Sequence, residues 1–213
     1  MPYWIPMWLL YFKLYLLKFA IYVIVLFMEF ISDEQLVSDY LKGDEKSLEI
    51  LIKRYVRPIY NFLVKLIGDK KEAEDLSQDI FVKVWNNLNK FDQYKKFRTW
   101  IYRIARNTSI DYLRKKKAIL FTDLNDEDDS FLKNITDDED LPDELMVKLD
   151  LKNEVVNALE KLPINYRTVI IFYYNEGLNF REISEIMGES INTVKSRHRR
   201  ALELLKKIIK PVQ

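Results

Sequence analysis

The stretch NFREISEIMGESINTVKSRHRRALELL, residues 179–205, alternates two kinds of side chain at helical spacing. Ser190, Asn192, Thr193, Lys195, Ser196, Arg199 and Arg200 fall opposite a stripe of Val194, His198, Ala201, Leu202 and Leu205. Short polar side chains at a helix N-terminus reach phosphates and base edges, and Arg and Lys bind phosphates or guanine edges in a major groove. A solvated basic face on an ordinary helix is the plain alternative. The short helix and glycine turn before it argue against that alternative. A second stretch, FRTWIYRIARNTSIDYLRKKK at residues 97–117, interleaves Phe97, Trp100, Tyr102 and Tyr112 with Arg98, Arg103, Arg106 and Arg114. Exposed aromatics stack on unpaired bases while cations hold the backbone. By composition alone, a core Trp100 among solvated arginines is the simpler reading of this stretch.

Other chemistry is excluded by what is absent. The 213 residues contain no cysteine, so a disulfide scaffold, a thiol nucleophile and thiolate metal sites are ruled out. His198 is the single histidine and sits in a basic segment, so a metal or catalytic role is not expected of it. It shares a face with Val194, Ala201 and Leu205 and reads as a half-buried packing residue. Four glycines argue against Gly-rich nucleotide loops and turn-rich β folds. No catalytic residue, metal or cofactor is expected, and the chain reads as a non-enzyme.

Helices must position both stretches. Leu48, Leu51, Ile52, Tyr55, Ile59, Phe62, Leu63 and Leu66 recur at helical spacing, as do Leu76, Ile80, Phe81, Val84 and Leu88. Phe97, Trp100, Ile101, Ile104, Ala105, Ile110 and Leu113 form a third run. Gly68-Asp69 and the stretch 86–92 break them, and Ser32 caps a shorter helix at Asp33-Glu34. Further on, Val155, Val156, Leu159 and Leu162 form a helix stopped by Pro163. Tyr166, Val169, Ile170 and Tyr173 form the next, ending at Asn175-Glu176-Gly177. A short helix closing at Gly188 and the long basic helix then make a helix-turn-helix.

The net charge of +1 conceals blocks. Residues 90–117 hold ten bases against two acids, residues 121–150 twelve acids against two bases, and residues 192–210 seven bases against one acid. The acidic block reads as a flexible, self-repelling spacer. The fold class expected is all-α, two small helical domains joined by an acidic flexible linker, the C-terminal one a helix-turn-helix. The boundaries are 28–118, 119–150 and 151–213, after an apolar extension at 1–27.

EDLSQDIFVKVWNNLNKF at 74–91 followed by FRTWIYRIARNTSIDYLRKKK, and later LEKLPINYRTVIIFYYNEGLNFREISEIMGESINTVKSRHRRA at 159–201, carry a resemblance. In this order and with a spacer between, they resemble the extracytoplasmic-function sigma factors of bacterial RNA polymerase, in the sigma-70 family. The resemblance implies a factor that binds core polymerase, directs it to promoters and promotes melting. It implies that Asp75, Gln78, Asp79, Val82 and Trp85 dock on the clamp helices of the polymerase largest subunit. Lys95, Phe97, Arg98, Trp100, Arg103, Asn107, Asp111 and Arg114 would read the unpaired −10 strand, the loop 90–97 capturing a flipped base. Ser190, Asn192, Thr193, Lys195, Ser196, Arg199 and Arg200 would read the −35 duplex. An anti-sigma partner is implied for the group, and the linker would run towards the RNA path. His198 departs from the aliphatic residue usual at its position.

The rival reading is a one-component helix-turn-helix regulator that binds duplex DNA, membrane-tethered in one version. Such a protein has no use for residues 74–85. Residues 1–27 hold no acid, nine aromatics and only Lys13 and Lys18 as bases. They are about long enough to cross a bilayer, but a lysine near mid-span costs about 2.5–3.5 kcal/mol. Either translation begins at Met28, or the stretch tethers an otherwise cytoplasmic protein to the inner face of the membrane.

Overall fold

The computed structural model describes residues 31–122, with side chains as far as 118, and residues 154–209. The apolar extension and the acidic linker expected from the sequence lie outside the described residues. Among the described residues there is no strand, and no helix is long and apolar enough to cross a membrane.

Local sequence signals set the helix ends. Helix α1 (Asp33–Leu41) begins where the Ser32 hydroxyl accepts the Gln35 backbone N–H at 3.1 Å. Helix α2 (Glu45–Ile67) follows Asp44, whose carboxylate accepts the Ser47 hydroxyl at 2.7 Å. Gly68, at φ +86°, then turns the chain. Asp69 caps helix α3 (Lys70–Asn87) by accepting the Glu72 N–H at 3.0 Å. A 3₁₀ turn, Leu88–Lys90, and a short loop lead to helix α4 (Phe97–Thr122). Helix α4 runs four residues beyond the domain end expected at 118. Among the later residues, α5 covers 154–160 and α6 spans Ile164–Ile170. The capping box of Asn179 and Glu182 starts α7 (Phe180–Met187), and Gly188, left-handed at φ +67°, ends it. Ser190 caps α8 (Ile191–Ile208), accepting the Thr193 N–H at 3.1 Å.

One element differs in kind from its expectation. The helix through Tyr166 and Val169 widens after Ile170 into a π turn, Ile171–Asn175. Its register is set by the Glu176 N–H donating to the Ile171 carbonyl at 3.1 Å and the Leu178 N–H donating to the Phe172 carbonyl at 3.0 Å. A π turn leaves no mark in hydrophobic spacing, and such turns often occur at functional sites. Here it precedes a left-handed glycine, Gly177 at φ +62°, while Ile171 and Phe172 are fully buried.

The chain divides into two compact units at Leu51/Ile52, within α2. In the first, Leu36, Val37 and Leu51 are buried. In the second, helices from both sides of residues 123–153 share a core. The rings of Phe62 on α2 and Phe172 on the π turn stack at 4.9 Å, 9° from parallel. Tyr102 on α4 stands edge-on to both at 5.7 Å. All three are buried to within 1%. Arg167 on α6 donates to the Leu66 carbonyl at 3.0 Å, at the C-terminal end of α2, and also to the Glu160 carbonyl. Burial pulls its guanidinium below the ordinary arginine range, and the carbonyls hold the charge there. A separate cluster of Leu162, Ile170 and Ala201 ties α6 to α8.

Truncating Phe172 removes the ring that two helices pack against. Phe172→Ala is expected to lose about 3–5 kcal/mol of unfolding free energy, read by urea denaturation of the whole chain. Tyr174→Ala, at a residue 57% exposed, is expected to lose far less.

Candidate nucleic-acid interface

Helix α3 carries two faces. Ala73, Leu76, Ser77, Ile80 and Val84 are buried. Asp75, Gln78, Asp79, Val82 and Trp85 lie together on the exposed face, with Val82 53% and Trp85 57% exposed. Large apolar side chains left outside among carboxylates suit a partner helix. All five residues expected on this face are brought together there.

Helix α4 divides the basic-aromatic residues among three environments. Phe97 is 1% exposed and Tyr102 likewise, which corrects the expectation of exposed stacking aromatics at these two positions. The reason is that Phe97 occupies the inward first turn of α4. Its ring packs against Tyr55 at 5.3 Å, Phe91 at 5.6 Å and Trp100 at 5.6 Å. Phe97 therefore props Trp100, which stays half-exposed at the rim of an open groove of about 410 Å³. Asn107 and Asp111 of α4 line the same groove, opposite Lys83, Asn87 and Lys90. The Lys83 ammonium donates to the Thr108 hydroxyl at 3.1 Å, and Lys90 to the Asn87 amide oxygen at 3.4 Å. An indole face, two amides and two ammonium groups around one cavity can hold a base and its phosphates.

The remaining cations of this set lie elsewhere. Arg114 is exposed beside Asp111 at 4.0 Å, and Lys95 pairs with Asp92 at 3.8 Å. Arg98 donates to the Glu176 carbonyl and Arg103 to the Glu185 carbonyl, so both face the C-terminal helices and not the groove. Sequence reasoning missed Lys83 and Asn87, which come from the neighbouring helix, while Lys90 opens the loop 90–97 that it did name. Within that loop it did not single out Tyr94, which stands fully exposed at the loop tip, its N–H donated to Asp92 at 3.1 Å. An aromatic in a short polar loop was the available signal for Tyr94.

Helix α8 exposes Asn192, Thr193, Lys195, Arg199 and Arg200, together with its cap Ser190, while Ser196 is half-buried. Val194 and Ala201 are fully buried beneath them. Arg197 is held away by Glu189 at 2.8 Å. His198 is half-buried, as expected, with Tyr173, Tyr174 and Phe180 at ring distances of 4.8, 5.6 and 5.3 Å. Burial pulls its pKa below the ordinary 6.5. Among the described residues no cluster of metal-ligating side chains is present.

The Sigma-70 region 2 family matches residues 51–119, and Sigma-70, region 4, matches residues 152–205. The extracytoplasmic-function RNA polymerase sigma factor SigW of Bacillus subtilis is 37% identical over 78% of this chain and 90% of its own length. The chain belongs to the extracytoplasmic-function sigma factors of the sigma-70 family. A sigma factor of this family acts in promoter-specific transcription initiation by RNA polymerase. The RNA polymerase sigma-H factor of Pseudomonas aeruginosa is 30% identical over 85% of this chain and 95% of its own length. The sigma factor RpoE of Bartonella quintana, solved in complex with the anti-sigma factor NepR, shares the fold. Its TM-score is 0.63 at 23% identity, covering 79% of this chain and 99% of that one. A one-component regulator is not favoured, because the region 2 match covers helices that such a protein does not need.

The lowered pKa of His198 fixes a pH dependence. The native state holds the neutral ring, so its stabilisation is complete above 6.5 and is lost as pH falls through that value towards the native pKa. Between pH 7.5 and 5.5 the melting temperature of the wild type is expected to fall, and that of His198→Gln to stay nearer level. Thermal denaturation of both at several pH values checks this.

Proposed function

We propose that the residues above divide the work of promoter recognition as follows. Asp75, Gln78, Asp79, Val82 and Trp85 bind the clamp helices of core RNA polymerase. The groove of Trp100, Asn107 and Asp111, with Lys83, Asn87 and Lys90 opposite, receives the unpaired −10 strand, with Tyr94 stacking at its mouth. Lys95 and Arg114 contact the strand's phosphates, Arg98 and Arg103 brace α4 against the Glu176 and Glu185 carbonyls, and Phe97 supports the site from within. Ser190, Asn192, Thr193, Lys195, Ser196, Arg199 and Arg200 read the −35 duplex. On this reading residues 28–118 and 151–213 are the two working domains and 119–150 the spacer. The chain performs no catalysis, acts in the cytoplasm and is open to capture by an anti-sigma protein.

The exposed apolar-acidic face of α3 is the observation that carries this reading. Val82 and Trp85 point outward on a helix that already buries five residues on its other side. A stable fold does not need them there, and a partner does. Melting then follows from population shift: the groove binds unpaired strand and not duplex, so binding energy favours the open promoter. Unstacking a base costs a few kcal/mol, within reach of one aromatic stack and several charge-assisted contacts.

The test is titration of fluorescent full chain with core polymerase lacking other sigma factors. Trp85→Ala is expected to weaken binding by about thirtyfold, the effect of an aromatic hot spot. Arg199→Ala should leave core binding unchanged while reducing promoter-directed transcription. Equal binding by wild type and Trp85→Ala would contradict the assignment of this face. Tyr94→Ala is expected to bind core normally and to slow strand opening, followed by permanganate reactivity of unpaired thymines.

A further inference from the structure

Most polar side chains in the groove beside α4 are spent on one another. Lys83 donates to the Thr108 hydroxyl at 3.1 Å, Asn87 donates to the Lys83 carbonyl at 2.8 Å, and Lys90 donates to the Asn87 amide oxygen at 3.4 Å. The two ammonium groups keep further protons for phosphates. Asn107 and Asp111 are placed differently. The Asn107 amide oxygen is taken by Arg106, which donates to it at 3.1 Å and does not itself line the groove. Arg106 is half-buried and reaches the Asn165 side-chain oxygen at 3.4 Å as well. With its oxygen engaged, Asn107 has its amide N–H groups left to offer. The Asp111 carboxylate is exposed, with Arg114 at 4.0 Å, beyond hydrogen-bond reach. An ionised carboxylate only accepts.

These two residues stand one turn of α4 apart, about 6 Å along the axis. They share the groove with the Trp100 indole. A base stacked there meets one donor and then a pair of acceptors. Guanine carries the complement on one edge, the O6 acceptor followed by the N1–H and N2–H donors. One carboxylate accepts both N–H groups side by side. Adenine and cytosine offer an amino group, which satisfies one carboxylate oxygen and leaves the other without a donor. Thymine places a carbonyl oxygen on each side of its single N–H, and one of them faces the carboxylate. An Asn107 amide turned the other way would set its own oxygen against O6 of guanine.

We propose that Arg106 is a positioning residue that turns the Asn107 donor into the groove, so that Asn107 and Asp111 together select a guanine from the unpaired −10 strand. The place rests on the reading of the groove as the −10 strand site, and the base rests on the pattern of donor and acceptors. Arg106 acts on the choice of base through Asn107, and its own charge adds affinity for any strand alike.

The test uses the free full chain and four labelled single strands of abasic sugars, each carrying one central base, followed by fluorescence anisotropy. The guanine strand is expected to bind about tenfold more tightly than the other three. Arg106→Met keeps the apolar stem and removes the donor. It should weaken all four strands and cut the guanine preference to about threefold or less. Arg106→Lys still donates and cannot accept, so it should keep the preference near the wild-type value. Asn107→Asp replaces the amide donor with a second oxygen at an exposed position and should abolish the preference, whatever Arg106→Met does to folding. Lys115→Met removes an exposed cation elsewhere on α4 and should leave the preference unchanged. Equal binding of the four strands by the wild type, or preference for another base, overturns the selection of guanine. An undiminished preference in a folded Arg106→Met or in Asn107→Asp overturns the orientation of Asn107 by Arg106. With core polymerase and a promoter library randomised across the −10 region, wild-type starts should share a guanine at one position. Starts without a shared guanine overturn the selection and leave the sigma reading standing. If no starts appear, the sigma reading fails, and the strand comparison still decides the selection of guanine.

Discussion

The contact on which the C-terminal half of the structure depends is the aromatic cluster of Phe62, Tyr102 and Phe172. Three rings from α2, α4 and the π turn bury one another almost completely. They bring together segments separated by residues 123–153. Tyr102 adds a constraint that a phenylalanine would not. Its hydroxyl is buried, so it requires an acceptor, and Glu176 supplies one. Burial and the neighbouring Glu176 carboxylate push the phenol well above its ordinary range, so it remains a donor. That one hydrogen bond fixes the end of the π turn against α4 and sets the neighbouring arginine contacts in register.

The polar rim is arranged so that each charge has a second use. Burial pushes the Glu182 carboxyl up, but Lys96 and the Asn179 backbone N–H together hold it below the ordinary range. The same carboxylate completes the capping box of α7. Arg98 lies 5.9 Å from the Tyr102 ring while reaching the Glu176 carbonyl. Such contacts are individually weak near solvent. Their combined effect comes from the shared apolar centre, which positions them all at once.

Much of this was legible in the sequence, and the reasons are local. Ser32, Asp69 and Gly188 act at helix ends through their nearest neighbours, so their types alone marked the boundaries. The reading face of α8 followed from periodicity, and the outward face of α3 from the resemblance to the sigma factors. The groove did not, because Lys83, Asn87 and Lys90 meet Trp100 and Asn107 only when two helices pack. Composition left the burial of Phe97 and Tyr102 open, because an aromatic-basic run has the same composition whether its rings face a core or a strand of DNA. The contacts of Arg98 and Arg103 with Glu176 and Glu185 join residues about eighty positions apart, where no spacing rule applies.

The most direct measurement is start-site mapping in a reconstituted reaction. The full chain is added to core polymerase free of other sigma factors, on fragmented DNA from the source organism, and the transcripts are sequenced from their 5′ ends. The account predicts discrete new starts that share two upstream elements at fixed spacing. A folded, polymerase-bound chain that produces no new starts would contradict it.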